Sequence, residues 1–114
     1  MPLLNIHTNI SINEANKDDF LRIASSKVAE ILAKSEKYVM IRLQSNCKML
    51  FGDSNDPLAL LELKSINLPE GDTPELSQAL CELVTAHLNI DQQRIYIEFH
   101  NAERHLWGWN GQTF

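Results

Sequence analysis

A chain of 114 residues with 44% hydrophobic content has enough apolar material for one globular core over 1–114 and too little length for two domains. A formal net charge of −5 without any run of lysine or arginine argues against a nucleic-acid or anionic-membrane partner, because phosphate binding depends on clustered positive charge. No apolar stretch approaches a membrane span, no secretory signal heads the chain, and Cys47 and Cys81 stand apart without a CxxC, so the expectation is a cytoplasmic protein with neither a disulfide framework nor a zinc knuckle.

The first predicted element is a strand over residues 2–9, headed by Pro2. Proline lacks the N–H that a sheet ladder uses and is confined to edges, bulges and strand starts. Two readings are open: Pro2 merely starts the strand, or, since small second residues allow the initiator methionine to be removed, it carries a free secondary amine. A helix is predicted from Lys17 to Lys34, with Phe20, Ala24, Val28, Ile31 and Leu32 at helical spacing and Asn16 or Asp18 as cap. "KYVMIRLQ" alternates Val39, Ile41 and Leu43 against Tyr38, Met40 and Arg42 as a second strand, and "FGDSNDP" reads as a turn. The third strand, from Leu58 to Ile66, puts Glu62 and Lys64 on one face with Leu58, Leu60 and Ile66. A second helix follows with Thr73 as N-cap, Pro74 at its first position and Leu76, Ala79, Leu80, Leu83, Val84 and Leu88 along one stripe. "RIYIEFH" closes the series as a strand.

The order β-α-β, turn, β-α-β describes an α+β fold of duplicated units, about 2–46 and 57–101, followed by a tail over 102–114. Right-handed crossovers would place both helices on one face of a four-stranded sheet. On the last strand Ile95, Ile97 and Phe99 would face the helices, leaving Tyr96, Glu98 and His100 on the open face, with Leu58, Leu60 and Ile66 exposed beside them. Stacking open faces in an oligomer would remove that apolar area from water. No nucleophile elbow, P-loop or dinucleotide fingerprint occurs; His7, His87, His100 and His105 are scattered, so no metal or cofactor is expected, and Asp18 and Asp19 suit a helix start. The tail "HLWGWNGQTF" carries two tryptophans whose rings need burial, in a pocket wall or a subunit contact.

"MPLLNIHTN", "FGDSNDPLALLELKSI", "DQQRIYIEFHN" and "WGWNGQTF" together resemble the macrophage migration inhibitory factor family of the tautomerase superfamily, in the family's order over nearly the whole length. Asn67 and Pro69 depart from it, where small residues are usual. The resemblance implies a homotrimer with active sites at subunit boundaries, no cofactor, and the amino-terminal proline as catalytic base for keto–enol tautomerisation of phenylpyruvate-like aryl keto acids. It implies an alternative as well: a cytokine-like interaction protein with a protein receptor and a weak or vestigial activity, exported without a signal peptide.

Residue by residue, the resemblance assigns the base to Pro2, the anion-binding cation to Lys34, the pocket isoleucine to Ile66 and the neighbouring subunit's tyrosine to Tyr96. Lys34 read alone is a solvated lysine ending a helix. Glu98 stands where animal members commonly have asparagine and, if ionised, would repel a substrate carboxylate. Trp107 replaces a smaller apolar residue beside the retained Trp109 and Phe114, narrowing the pocket or adding stacking area. Leu58 and Leu61 occupy the family's CxxC positions, so its thiol oxidoreductase activity is not implied.

Overall fold

In the computed structural model, which describes residues 1–114, the alternation of the first strand is read directly as burial. Along β1 (Pro2–Thr8), Pro2, Leu4, Ile6 and Thr8 are fully buried, whereas Leu3, Asn5 and His7 on the opposite face are half-buried. The strand is central in a four-stranded sheet of order β2-β1-β3-β4. It runs parallel to β2 (Met40–Gln44) and antiparallel to β3 (Ala59–Ile66), and β4 (Ile95–Ala102) runs parallel to β3. Helices α1 (Glu14–Leu32) and α2 (Thr73–Leu88) are the crossovers of the two parallel pairs. Their buried stripes, Phe20, Ala24, Val28 and Leu32 on one and Leu76, Leu80, Leu83, Val84 and Leu88 on the other, share a single core with Leu4, Ile6, Leu61 and Leu63. Burying each such large side chain contributes about 1.5–3 kcal/mol, so the sheet's helix face fixes the fold.

The element boundaries differ from the sequence expectations where capping decides. α1 begins at Glu14, because the Asn13 side chain accepts the Asn16 N–H at 2.8 Å; neither Asn16 nor Asp18 is the cap. Asp18 and Asp19 therefore lie in the second turn, where Asp19 pairs with Arg22 at 3.6 Å. The helix stops at Leu32, Ala33 adopts a left-handed φ of 52°, and the Lys34 N–H closes back on the Ala29 carbonyl at 3.0 Å. Lys34 thus leaves from the closing turn rather than from the helix. Asp72 precedes α2 as its cap residue, and Thr73 instead opens the helix and donates its hydroxyl to the Glu70 carbonyl at 3.3 Å.

Leu58 and Ile66 are not exposed on the open face; they retain 4% and 5% of their accessible surface. Leu58 precedes β3 and is tied to the end of β1: its carbonyl accepts the Thr8 hydroxyl at 2.7 Å and its N–H donates to Asn9 Oδ1 at 3.0 Å. After Ile66, Asn67 takes a φ of 54°, a conformation that Asn tolerates better than most side chains, and Asn101 Oδ1 accepts the Leu68 N–H at 3.1 Å. What remains on the open face is a grid set by register. Arg42, Asn5, Glu62 and Glu98 form one row across the strands, flanked by Met40, Leu3, Lys64 and His100 and by Gln44, His7, Leu60 and Tyr96. Glu62 lies 3.6 Å from His7 and 4.0 Å from Lys64, and Glu98 lies 2.8 Å from His100. No helix is long and apolar enough to cross a membrane.

Arg94 holds the expected turn over 51–57. Phe51 and Ser54 exchange backbone hydrogen bonds around Gly52 and Asp53, both at positive φ, and the guanidinium donates to the carbonyls of Phe51 (2.7 Å), Ser54 (3.0 Å), Asp56 (3.1 Å) and Pro57 (3.4 Å). The cation also sits 5.1 Å from the Phe51 ring centroid. Arg94→Met keeps the stem but orphans these carbonyls, and charged hydrogen bonds are worth about 1.5–3 kcal/mol. Thermal denaturation of the variant should show a Tm lower by roughly 5 °C or more; an unchanged Tm would mean that the turn is held by other contacts.

Candidate active site

Pro2 is delivered to a cavity by the strand pairing. The parallel register sets Leu3 beside Met40, so the segment entering β2, from Lys37 to Met40, lies against the start of β1. The antiparallel register sets Pro2 beside Ser65 and Leu3 beside Lys64, so the far end of β3 arrives at the same place. Beyond β4 the chain makes a short turn at Arg104–Leu106 and a hairpin of β5 (Gly108–Trp109) and β6 (Gln112–Thr113), in which Asn110 and Gly111 take the left-handed φ values of 53° and 75° that a tight two-residue hairpin demands. Together these segments enclose about 510 Å³ around Met1 and Pro2.

The walls are aromatic. Trp109 meets Tyr38 edge-on at 5.6 Å between ring centroids and stacks on Phe114 at 5.9 Å, while Trp107 is half-buried beside it. The tail's two tryptophans therefore wall a pocket, one of the two expected uses. The surroundings of the amino terminus favour a neutral amine. The pKa of the chain's amino terminus is lowered from its ordinary 8.0, first by burial, then by the positive charges of Lys34 and Arg104.

The sequence-derived site residues divide into groups. Pro2, Trp107 and Trp109 line the cavity, Phe114 backs Trp109, and Lys34 acts on the amine by charge without forming a wall. Ile66 is buried next to Ser65, the partner of Pro2. Tyr96 and Glu98 stand apart from this cavity. Tyr96 pairs with Leu60 and that in turn with His7, which places it two strands over and five residues along from Pro2, or roughly 19 Å at ordinary strand spacings; Glu98 is roughly 14 Å away by the same construction. Tyr96 is 65% exposed, its ring 4.5 Å from that of Phe51. Sequence reasoning missed Lys37, Tyr38, Met40, Lys64 and Leu106, all of which line the cavity. Four of these had a findable signal: in a β-α-β unit the start of the second strand lies beside the start of the first, and an antiparallel neighbour brings the end of β3 there too. No cluster of three His, Cys, Asp or Glu side chains is placed to hold a metal ion.

The sequence model described as Macrophage migration inhibitory factor (MIF) matches residues 1–114. The chain belongs to this family. A macrophage migration inhibitory factor homologue from Prochlorococcus marinus has a crystal structure similar to this fold, with a TM-score of 0.93, 40% sequence identity and 98% of each chain covered. A homologue from Brugia malayi is 39% identical over 116 residues, covering 100% of this chain and 99% of its own length. The factor from Xenopus tropicalis is 34% identical over 115 residues with the same coverage. The MIF fold, with two helices against one four-stranded mixed sheet, is the fold described above, and MIF proteins belong to the tautomerase superfamily.

The cause assigned to the low amine pKa can be tested on the chain that retains Met1. Cyanate carbamylates only a neutral amine, so its rate at the terminus, followed by mass spectrometry, should rise through a midpoint below 8.0. Lys34→Ala removes one of the repelling charges and should move that midpoint to higher pH; an unchanged profile would assign the shift to burial and Arg104 alone.

Proposed function

We propose that this MIF-family chain is a cofactor-free keto–enol tautomerase of phenylpyruvate-like aryl keto acids, with Pro2 as general base once Met1 is removed, working as a homotrimer. The observation that carries this reading is the position of Pro2: a buried proline, second in the chain, lining an aromatic cavity beside an amino terminus whose pKa is lowered by burial, Lys34 and Arg104. With Met1 attached, the Pro2 nitrogen is an amide whose lone pair is delocalised. Hydrolysis of that bond leaves a secondary amine, and burial beside Lys34 and Arg104 would keep a useful fraction of it neutral near pH 7.

In the reaction the amine takes the proton from the carbon α to the substrate carbonyl. The C–H electrons form the enolate C=C, the carbonyl π electrons move to oxygen, and the prolinium returns the proton to that oxygen; the reverse path restores the ketone. Lys34 holds the substrate carboxylate or the developing oxyanion, and the indoles of Trp107 and Trp109 bind the aryl ring. Tyr96 orients the substrate from a second copy, since roughly 19 Å separates it from its own Pro2. Exposed Tyr96, Met40, Leu106 and Trp109, together with the unpaired outer edges of β2 and β4, support an assembly that covers them.

Methionine aminopeptidase treatment, verified by mass, should convert an inactive chain into one that ketonises enol-phenylpyruvate, and Pro2→Gly should lower kcat/KM by about 10²-fold or more, the ordinary contribution of a positioned base. Equal activity before and after methionine removal would reject the proline base. An inactive processed chain would leave the pocket as a binding site, in line with the cytokine-like alternative. Sedimentation at micromolar concentration should give a trimer; a well-folded monomer would remove Tyr96 from the site.

A further inference from the structure

The cavity has more positive charge than a monocarboxylate requires. The whole chain holds 10 lysines and arginines against 15 acidic residues. Even so, four of those ten cations gather here: Lys37 and Lys64 line the cavity, and Lys34 and Arg104 act by charge on the Met1 amine beside it. No aspartate or glutamate of the same chain lines it. Elsewhere Lys17, Arg22 and Lys27 are each paired with a carboxylate, of Glu14, Asp19 and Glu30 respectively. Around the cavity the only carboxylate contact is Glu62 at 4.0 Å from Lys64, and Lys37 is instead held 4.9 Å from the centroid of the Tyr38 ring. Cations left unbalanced around a half-enclosed apolar space repel one another and are stabilised by an anion entering it.

From this arrangement we infer that the preferred substrate is a dianion: an aryl keto acid with a second anionic group on the ring, bound by Lys37 and Lys64. This rests on the proposed tautomerase reaction for its first carboxylate, which Lys34 takes beside the amine. The aromatic body then spans Trp107, Trp109 and Tyr38, and the second anion meets the two lysines on the cavity wall. Sequence reading overlooked both lysines because one precedes a strand and the other alternates on an open sheet face, where solvated lysines are ordinary.

The test uses the Met1-processed chain and three keto acids: phenylpyruvate, its para-carboxylate and its para-carboxamide, the last being a neutral match in shape for the second. At low ionic strength the para-carboxylate should have a KM at least about tenfold below that of the carboxamide, and the ratio should shrink at high salt. Lys37→Gln and Lys64→Gln should each reduce the ratio severalfold by raising the KM of the para-carboxylate more than that of the carboxamide, and a ratio unchanged in both variants would overturn the assignment of the second anion to these lysines. Turnover of phenylpyruvate with no preference for the carboxylate would overturn the dianion inference and leave the tautomerase reading intact. Should none of the three turn over, the tautomerase reading fails, and binding followed by quenching of Trp107 and Trp109 decides the inference by itself: tighter binding of the para-carboxylate, lost in the lysine variants, supports it, and equal binding overturns it.

Discussion

The double pairing of β1 is the constraint on which the rest of the molecule depends. As the central strand that begins the chain, it has a parallel neighbour on one side and an antiparallel neighbour on the other. A parallel partner brings its own beginning to the start of β1, and an antiparallel partner brings its end. The loop before β2, the end of β3 and, through β4, the tail therefore converge on residue 2. The helices enforce this from the other face: Leu4 and Ile6 can enter the shared core in one register alone, and a slip by one residue would turn Pro2 to the open face.

Convergence explains the chemistry available there. An amine in water stays protonated at neutral pH; the same amine partly buried, with Lys34 and Arg104 nearby, gives up its proton more readily. The aromatic contacts of Trp109 with Tyr38 and Phe114 hold the tail against the loop before β2. The cavity wall is thus made from segments far apart in sequence, which the sheet alone aligns. Arg94 plays a corresponding part at the opposite end of β3, where its guanidinium organises the turn beneath Phe51 and so supports the ring against which Tyr96 rests.

Much of the fold was legible because apolar spacing records it. The stripes on α1 and α2 and the alternation of Val39, Ile41 and Leu43 report which face meets the core, and all are packed there except Ala79, which lies at the edge of the α2 stripe outside the core. Caps were less legible: Asn13 and Asp72 are selected by local hydrogen-bond geometry and backbone conformation, to which apolar period is blind. Leu58 and Ile66 share a parity with Glu62 but are buried by their surroundings at the two ends of β3, where alternation ceases to describe the environment. At the site, Pro2 stood out by its place behind the initiator methionine and the tail tryptophans by their need for burial, whereas their roles, and Lys34, came from family resemblance, not periodicity. Lys37 and Tyr38 belonged to no motif, Lys64 had no assigned role in its own, and all three became visible only when strand register put them beside residue 2.

The proposed chemistry requires burial and neighbouring cations to make the prolyl amine a free base near neutral pH, and the most direct measurement is of that nitrogen itself. In the chain labelled with ¹⁵N-proline and freed of Met1, the chemical shift of the Pro2 nitrogen can be followed as pH is raised. The account predicts a titration midpoint clearly below the ~8 of an ordinary α-amino group. A midpoint at or above that value would leave Pro2 protonated under working conditions and contradict its assignment as the base.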